Sequence, residues 1–385
     1  MKTSSERIQG FGATIFAEMT ALARRTQAVN LGQGFPDADG PSGIIDEAVR
    51  ALRSGHNQYP PGPGVPELRT AIAEHQRRWY GLDLDPETEV VVTTGATEAL
   101  TASILALIDP GDEVIVLEPW FDSFPAAIQM AGGVRRPVTL RAPDFRLDLD
   151  ELRSAIGPRT KMLLLNSPHN PTGTVLNDEE RAGIARLAVE HDLVVLSDEV
   201  YEHLTFDHVA HRPIATMPQM AERTLTVSSG GKSFGFTGWK VGWASGPAEL
   251  VRATLTAKQF MTFVSGAPLQ PAIAYALGSD ESYFDPFIKQ LQDRRDQLCE
   301  GLSALGFGVR VPQGTYFVLT DIADLGYHDG IEFCLGLPER AGVVAVPAQV
   351  FYDNVDEGRT LVRWAFCKQE KVLTEALHRL QRLGR

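Results

Sequence analysis

The chain is short of cysteine, of long apolar runs and of positive charge, and each shortage narrows what it can be. Three cysteines, Cys299, Cys334 and Cys367, lie far apart among 385 residues. Odd in number and without metal-ligand spacing, they make neither a disulfide framework nor a zinc site, and they read as thiols of a reducing compartment. No stretch approaches membrane-spanning length without charge. The opening residues M-K-T-S-S-E-R-I-Q-G-F-G lack the apolar segment of a secretory signal, so a cytoplasmic protein is expected. Lys and Arg number 36 against 49 Asp and Glu, a formal net charge of −13. Such a chain repels a phosphate backbone, which argues against nucleic acid as a partner. His169 and the stretch from His203 to His211 show no cysteine or carboxylate pattern that suggests metal. A G-x-G-x-x-G turn after a strand is also missing: L-G-Q-G-F-P lacks the third glycine and the strand before it, which disfavours a dinucleotide site.

What is present is the make-up of a folded α/β protein. Hydrophobic content of 43% with 22% charged residues excludes a disordered chain. The length exceeds what one hydrophobic core sustains, so a large domain over 42–278 and a smaller one built from 1–41 and 279–385 are expected. Ile15, Met19 and Leu22 predict an amphipathic helix over residues 15–25. Strands are predicted at 89–93, 113–117, 161–165, 193–196, 224–227 and 241–244, with helices at 97–108 and 178–191 between them. Several of these strands are near-continuous apolar runs, the mark of a largely parallel sheet covered on both faces. After about residue 279 the pattern changes to a helix at 287–305, short strands at 307–311 and 316–319, a helix at 331–341, a strand at 361–366 and a last helix at 371–383.

Lys232 lies in S-S-G-G-K-S-F-G-F-T-G-W-K, downstream of N-S-P-H-N-P-T-G (Asn166 to Gly173) and S-D-E-V-Y (Ser197 to Tyr201). A lone lysine in a glycine-rich loop is ordinarily a solvated surface residue. Here Asn166, Asp198 and Ser229 fall at or just past predicted strand ends, where open α/β sheets bind ligands. A desolvated Lys232 amine can condense with the aldehyde of pyridoxal phosphate. Asp198 can pair with a protonated pyridine nitrogen, and Tyr201 and Asn170 can reach the phenolate oxygen. In T-T-G-A-T-E-A the N–H groups of Gly95, Ala96 and Thr97 open a helix suited to a phosphate, with Ser229 and Lys240 adding a hydroxyl and a cation. Phe121 offers a ring for stacking. Arg363, in L-V-R-W-A-F, can hold a carboxylate with two hydrogen bonds. Phe16, Trp120 and Tyr59 are candidate pocket walls.

In this order, N-x-x-x-N-P-T-G, D-E-V-Y, S-x-x-K and T-G-W-K-x-G resemble the class I aminotransferases of the fold-type-I pyridoxal phosphate enzymes, nearly end to end. The resemblance implies a large domain around a mostly parallel seven-stranded sheet, a smaller α+β domain, and pyridoxal 5′-phosphate as cofactor. It implies Lys232, Asp198 and Tyr201 as the catalytic set. Gly95, Ala96, Thr97, Phe121, Asn166, Asn170, Ser229 and Lys240 would complete the cofactor site, with Gly34, Asn170 and Arg363 for substrate. Tyr59, in N-Q-Y-P-P-G-P-G, matches a tyrosine that reaches the phosphate of the other subunit, so a homodimer is implied. N-L-G-Q-G-F-P-D and N-Q-Y-P-P-G-P-G are similar to a branch of kynurenine and glutamine transaminases, cysteine-conjugate β-lyases and actinobacterial N-succinyldiaminopimelate aminotransferases. The implied reaction is ping-pong transfer between glutamate and a keto acid, first of all N-succinyl-2-amino-6-oxopimelate of lysine biosynthesis. The alternatives are an aromatic or sulfur amino acid transaminase, and a carbon–sulfur β-lyase acting on cysteine conjugates.

Overall fold

The structure, a computed structural model, describes residues 5–37 and 39–384; residues 1–4, Ala38 and Arg385 of the expected smaller domain lie outside it. Seven strands form one sheet: β1 (Val90–Thr93), β2 (Glu113–Glu118), β3 (Val134–Thr139), β4 (Thr160–Asn166), β5 (Val194–Asp198), β6 (Thr224–Ser229) and β7 (Gly242–Ser245). Their spatial order is β1-β7-β6-β5-β4-β2-β3. The pairs from β3 through β6 are parallel, and β7 runs antiparallel to both its neighbours.

Burial explains the strand chemistry. β1, β2 and β6 are buried along their whole length. Val91 packs into one apolar cluster and Val90 and Val92 into another on the opposite face, the two-sided cover that a parallel sheet requires. β3 escapes the sequence reading because V-R-R-P-V-T is charged and carries Pro137. It is an edge strand with a single partner, where a missing N–H is tolerated.

Helices α1 (Ile15–Thr26), α2 (Ser42–Arg53), α3 (Pro66–Tyr80) and α4 (Ala96–Leu107) follow in chain order. α1 starts where the Thr14 hydroxyl accepts the Ala17 N–H, and stops at Gln27 in the left-handed conformation. The charged helix expected from residue 287 begins instead at Glu281, because Asp280 accepts the Ser282 N–H and caps it, and Pro286 is accommodated near its start.

A second, antiparallel sheet contains β8 (Gly308–Val309), β9 (Phe317–Asp321), β10 (Val346–Pro347) and β11 (Leu361–Ala365), in the order β10-β11-β9-β8. The strand expected over 307–311 shrinks to two residues. Val29–Asn30 pairs in parallel with Val343–Val344, and the Leu31 carbonyl accepts the Ala365 N–H at 2.7 Å. These bonds lay the segment after α1 along the second sheet. No described helix is long and apolar enough to cross a membrane.

Candidate active site

Register delivers the polar residues to one edge of the large sheet. Asn166 lies beside Asp198, Asp198 beside Val227, and Ser229 beside Gly242. Because β7 runs the other way, its first residue meets the last residues of β6 and β1. A cavity opens there. Gly34, Gly95, Ala96, Thr97, Phe121, Asn166, Asn170, Asp198, Tyr201, Ser229, Lys232, Lys240 and Arg363 all line it. Each was singled out from the sequence, and they come from both sheets.

At one end sits the start of α4. Gly95 has φ 76°, and a Cβ there would lie 2.9 Å from the Lys240 Nζ. A Cβ on Gly242 would come within 2.6 Å of the Ala96 nitrogen, so this turn and β7 approach as only glycine permits. The N–H groups of Ala96 and Thr97 have no acceptor within the described chain, and the Ser229 hydroxyl has no partner there either. Free helix-start donors, a hydroxyl and an ammonium in one place make an anion cradle.

In the middle, Lys232 and Asp198 face the cavity. Burial lowers the Lys232 amine to about 8 and raises the Asp198 carboxyl to about 7. Asn166 braces this region: its Nδ2 donates to the Asp198 carbonyl at 2.9 Å, and its Oδ1 accepts the Asn170 N–H at 2.8 Å. Tyr201 is 2% exposed, with its phenol pushed up by burial. Phe121 lines the wall with its ring edge-on to Phe124.

At the far end is Arg363 on β11, 2% exposed. Its guanidinium donates to the Asn170 Oδ1 at 3.1 Å and the Gly32 carbonyl at 3.0 Å, while its Nε has no partner. Phe317, Phe16 and Phe351 surround it at 4.0, 4.7 and 5.4 Å from their ring centres. Burial lowers its pKa to about 10. Among the described residues no carboxylate pairs with it.

Phe16 lines the cavity as expected, but Trp120 and Tyr59 do not. The Trp120 backbone N–H donates to Phe351 and its ring packs beneath Arg135, which holds it in the core. Tyr59 is 81% exposed and touches Phe263 edge-on, away from this chain's own cavity. Sequence reading missed Tyr316, whose hydroxyl accepts from the Lys232 Nζ at 2.8 Å. It also missed Gln33, which lines the cavity with its amide nitrogen bonded to Phe16 and Thr20. Neither stands near a motif of the large sheet, so no spacing marks it.

The chain also gathers His75, His203 and Glu202, whose ligand-type atoms lie within 4.8 Å of one another. His75 comes from α3, which the sequence reading did not connect to the histidines around His203. The two Nε2 atoms are 2.7 Å apart, the distance of one shared hydrogen bond.

Comparison with known proteins follows the same lines. The family model described as aminotransferase class I and II matches residues 26–380. A probable N-succinyldiaminopimelate aminotransferase, DapC, from Mycobacterium tuberculosis is 51% identical, over 98% of this chain and 98% of that protein. The methionine aminotransferase of Escherichia coli is 38% identical over 98% and 97% of the two chains. The solved N-succinyldiaminopimelate aminotransferase of M. tuberculosis superposes with a TM-score of 0.96, over 99% of this chain and 100% of that one.

Proposed function

The chain belongs to the class I and II aminotransferases, and on that premise we propose how its cavity works. Pyridoxal 5′-phosphate is held there, and an amino group passes between glutamate and a keto acid. The residues present fit that cofactor. The cradle of Ala96, Thr97, Ser229 and Lys240 suits its phosphate, Asp198 its ring nitrogen, Tyr201 and Asn170 its phenolate oxygen, and Phe121 its ring face. When bound, the cofactor supplies an aldehyde that takes up an amine and a protonated ring that draws electrons from the substrate Cα.

The chain's own residues do the rest. Lys232, with its amine lowered to about 8, has a neutral fraction near physiological pH and can carry a proton to and from the substrate Cα. Asp198, desolvated and unpaired by any cation of the chain at hydrogen-bond range, holds the ring-nitrogen proton. The observation that carries the reading is Arg363: a buried guanidinium with a free Nε, no carboxylate partner and an outlook onto the same cavity. A buried cation with no carboxylate at hydrogen-bond range is costly, and a substrate α-carboxylate relieves it.

The substrate reading is N-succinyl-2-amino-6-oxopimelate, supported by the 51% identical relative's name. An aromatic or sulfur amino acid is the second reading, its sulfur branch supported by the methionine aminotransferase. We also read the chain as two domains, 42–278 around the seven-stranded sheet and 1–41 with 279–385 around the four-stranded one. A homodimer belongs to the same reading. Tyr59, Phe260 and Phe263 are 81%, 84% and 52% exposed, an aromatic surface suited to a second copy.

The deciding experiment follows the visible band of the cofactor-loaded protein during single additions of N-succinyldiaminopimelate, methionine, kynurenine, glutamine and glutamate. Fastest loss at the lowest concentration with the succinylated compound supports the first reading. A preference for methionine or kynurenine moves the enzyme to the second. No response to any of them rules out this substrate class.

A further inference from the structure

Tyr316 directly precedes strand β9 of the second sheet, and its hydroxyl reaches Gly34, Lys232 and the Tyr201 side chain outside that sheet. It donates to the Gly34 carbonyl at 2.6 Å and accepts from the Lys232 Nζ at 2.8 Å. A phenol has one proton. Since Gly34 offers only a carbonyl, that proton is committed to it, and toward Lys232 the oxygen can only accept. The Tyr316 phenol is 2% exposed and raised far above its ordinary range by burial, so it stays neutral and does not form an ion pair. Tyr316 therefore takes up one N–H of the lysine and leaves the nitrogen lone pair of the neutral amine free for the cavity.

The Gly34 end of the bond is equally specific. The segment from Gly32 to Asp37 is held by side chains and backbone of the second sheet's C-terminal part. Arg363 donates to the Gly32 carbonyl, Tyr316 to that of Gly34, and Lys368 to that of Phe35 at 2.7 Å. Gln369 donates to the Asp37 side chain. A Cβ on Gly34 would collide with Phe317 at 2.3 Å, so the segment is pressed against β9. Of the three side chains that hold these carbonyls, Tyr316 is the one that also touches Lys232.

We infer that Tyr316 is a positioning residue. It orients the Lys232 amine and couples it to the Gly34 segment that borders the substrate. This rests on the reading of Lys232 as the reactive amine.

The test compares wild type, Tyr316→Phe and Lys368→Met. Phenylalanine keeps the ring that packs on Tyr201 and Phe317 and removes the hydroxyl's bonds to Gly34 and Lys232 together with its contact to the Tyr201 side chain. Lys368→Met releases the neighbouring carbonyl without touching Lys232. The first readout is the pH dependence of covalent capture of pyridoxal phosphate by the cofactor-free protein, located at Lys232 by borohydride reduction and peptide mass. An acceptor stabilises the ammonium more than the amine, so its loss lowers the midpoint, by about one pH unit. The second readout is hydrogen exchange of amides in residues 31–37, expected to quicken about tenfold in both variants.

A lowered midpoint in Tyr316→Phe alone, with faster exchange in both variants, is the expected result. An unmoved midpoint in Tyr316→Phe overturns the inference and leaves a structural tyrosine. An equal shift in Lys368→Met overturns it too, because loosening the segment would then suffice. If wild type is not captured at Lys232 at all, the functional reading falls, and the inference with it.

Discussion

Two buried polar clusters lie back to back in this protein, and one of them lines the cavity. Around the cavity, Lys232, Asp198, Ser229 and Arg363 keep atoms without partners. Behind it, the carboxylates and hydroxyls find partners within the chain, while the Nδ1 atoms of His75 and His211 have none. Tyr80 and Ser228 donate to the two Glu202 oxygens at 2.8 and 2.5 Å. Glu199 bonds Ser197 and His211, each at 2.8 Å. A single hydrogen bond joins the His75 and His203 Nε2 atoms, and His203 stacks on Phe284.

Strand alternation separates them: Ser229 turns to the cavity and Ser228 to the rear. Both clusters hold strongly shifted groups. Burial raises Glu202 to about 7, as it does Asp198, and lowers His75 to about 3. A shifted pKa alone does not mark a site. Nor do unpartnered atoms alone, since His75 and His211 each keep one; what marks the front cluster is that its groups converge on open space.

The comparison can be broken in order of expected effect. Lys232→Ala should lower transamination by at least about a thousandfold, with the fold kept by circular dichroism. Arg363→Gln should lower kcat/KM for the amino donor about a hundredfold, the loss expected when a charged hydrogen-bonded pair is removed. At the rear the effect should move from rate to stability. Tyr80→Phe strips a donor from the buried Glu202 and should cost about 1–3 kcal/mol in urea unfolding, with kcat/KM held within about twofold. A rate loss as large as that of Arg363→Gln would erase the distinction.

The pH dependence sharpens it. Asp198 folds with its pKa raised to about 7, so between about 4 and 7 the folded chain holds a proton that the unfolded chain has released. Its stabilising contribution is present below the unfolded value and is lost as pH rises through about 7. Asp198→Asn should flatten that part of the unfolding profile of the cofactor-free protein, and Glu202, shifted the same way, should supply what remains. His75 has the opposite sign: its depressed value makes stability fall as pH drops from about 6.5 toward 3. The smallest effect belongs to metal. With the His75 and His203 nitrogens 2.7 Å apart and both Glu202 oxygens engaged, added zinc should leave the melting temperature unchanged. A rise of several degrees would turn the rear cluster into a binding site.

How much was legible in the sequence follows from where each residue sits. The strand ends carrying Asn166, Asp198 and Ser229 were readable because apolar runs announce their strands and the motifs stand at their termini. The edge strand Val134–Thr139 was not, since an edge tolerates charge and proline and so loses its pattern. Trp120, a candidate wall from the sequence, turns its ring to Arg135 instead. Tyr316 left no local trace at all.

The sequence by itself determined the chemistry: an amine, a carboxylate, a phenol and a helix start, delivered by short-range periodicity to one sheet edge. Tertiary structure alone decided which of these groups stay unpartnered and what closes over them. Arg363 meets Asn170 across 193 positions, and Tyr316 meets Gly34 across 282. Such contacts form only when two sheets pack, and no local propensity encodes that meeting. It is selected by the burial of both sheets' apolar faces, which then fixes the polar groups between them.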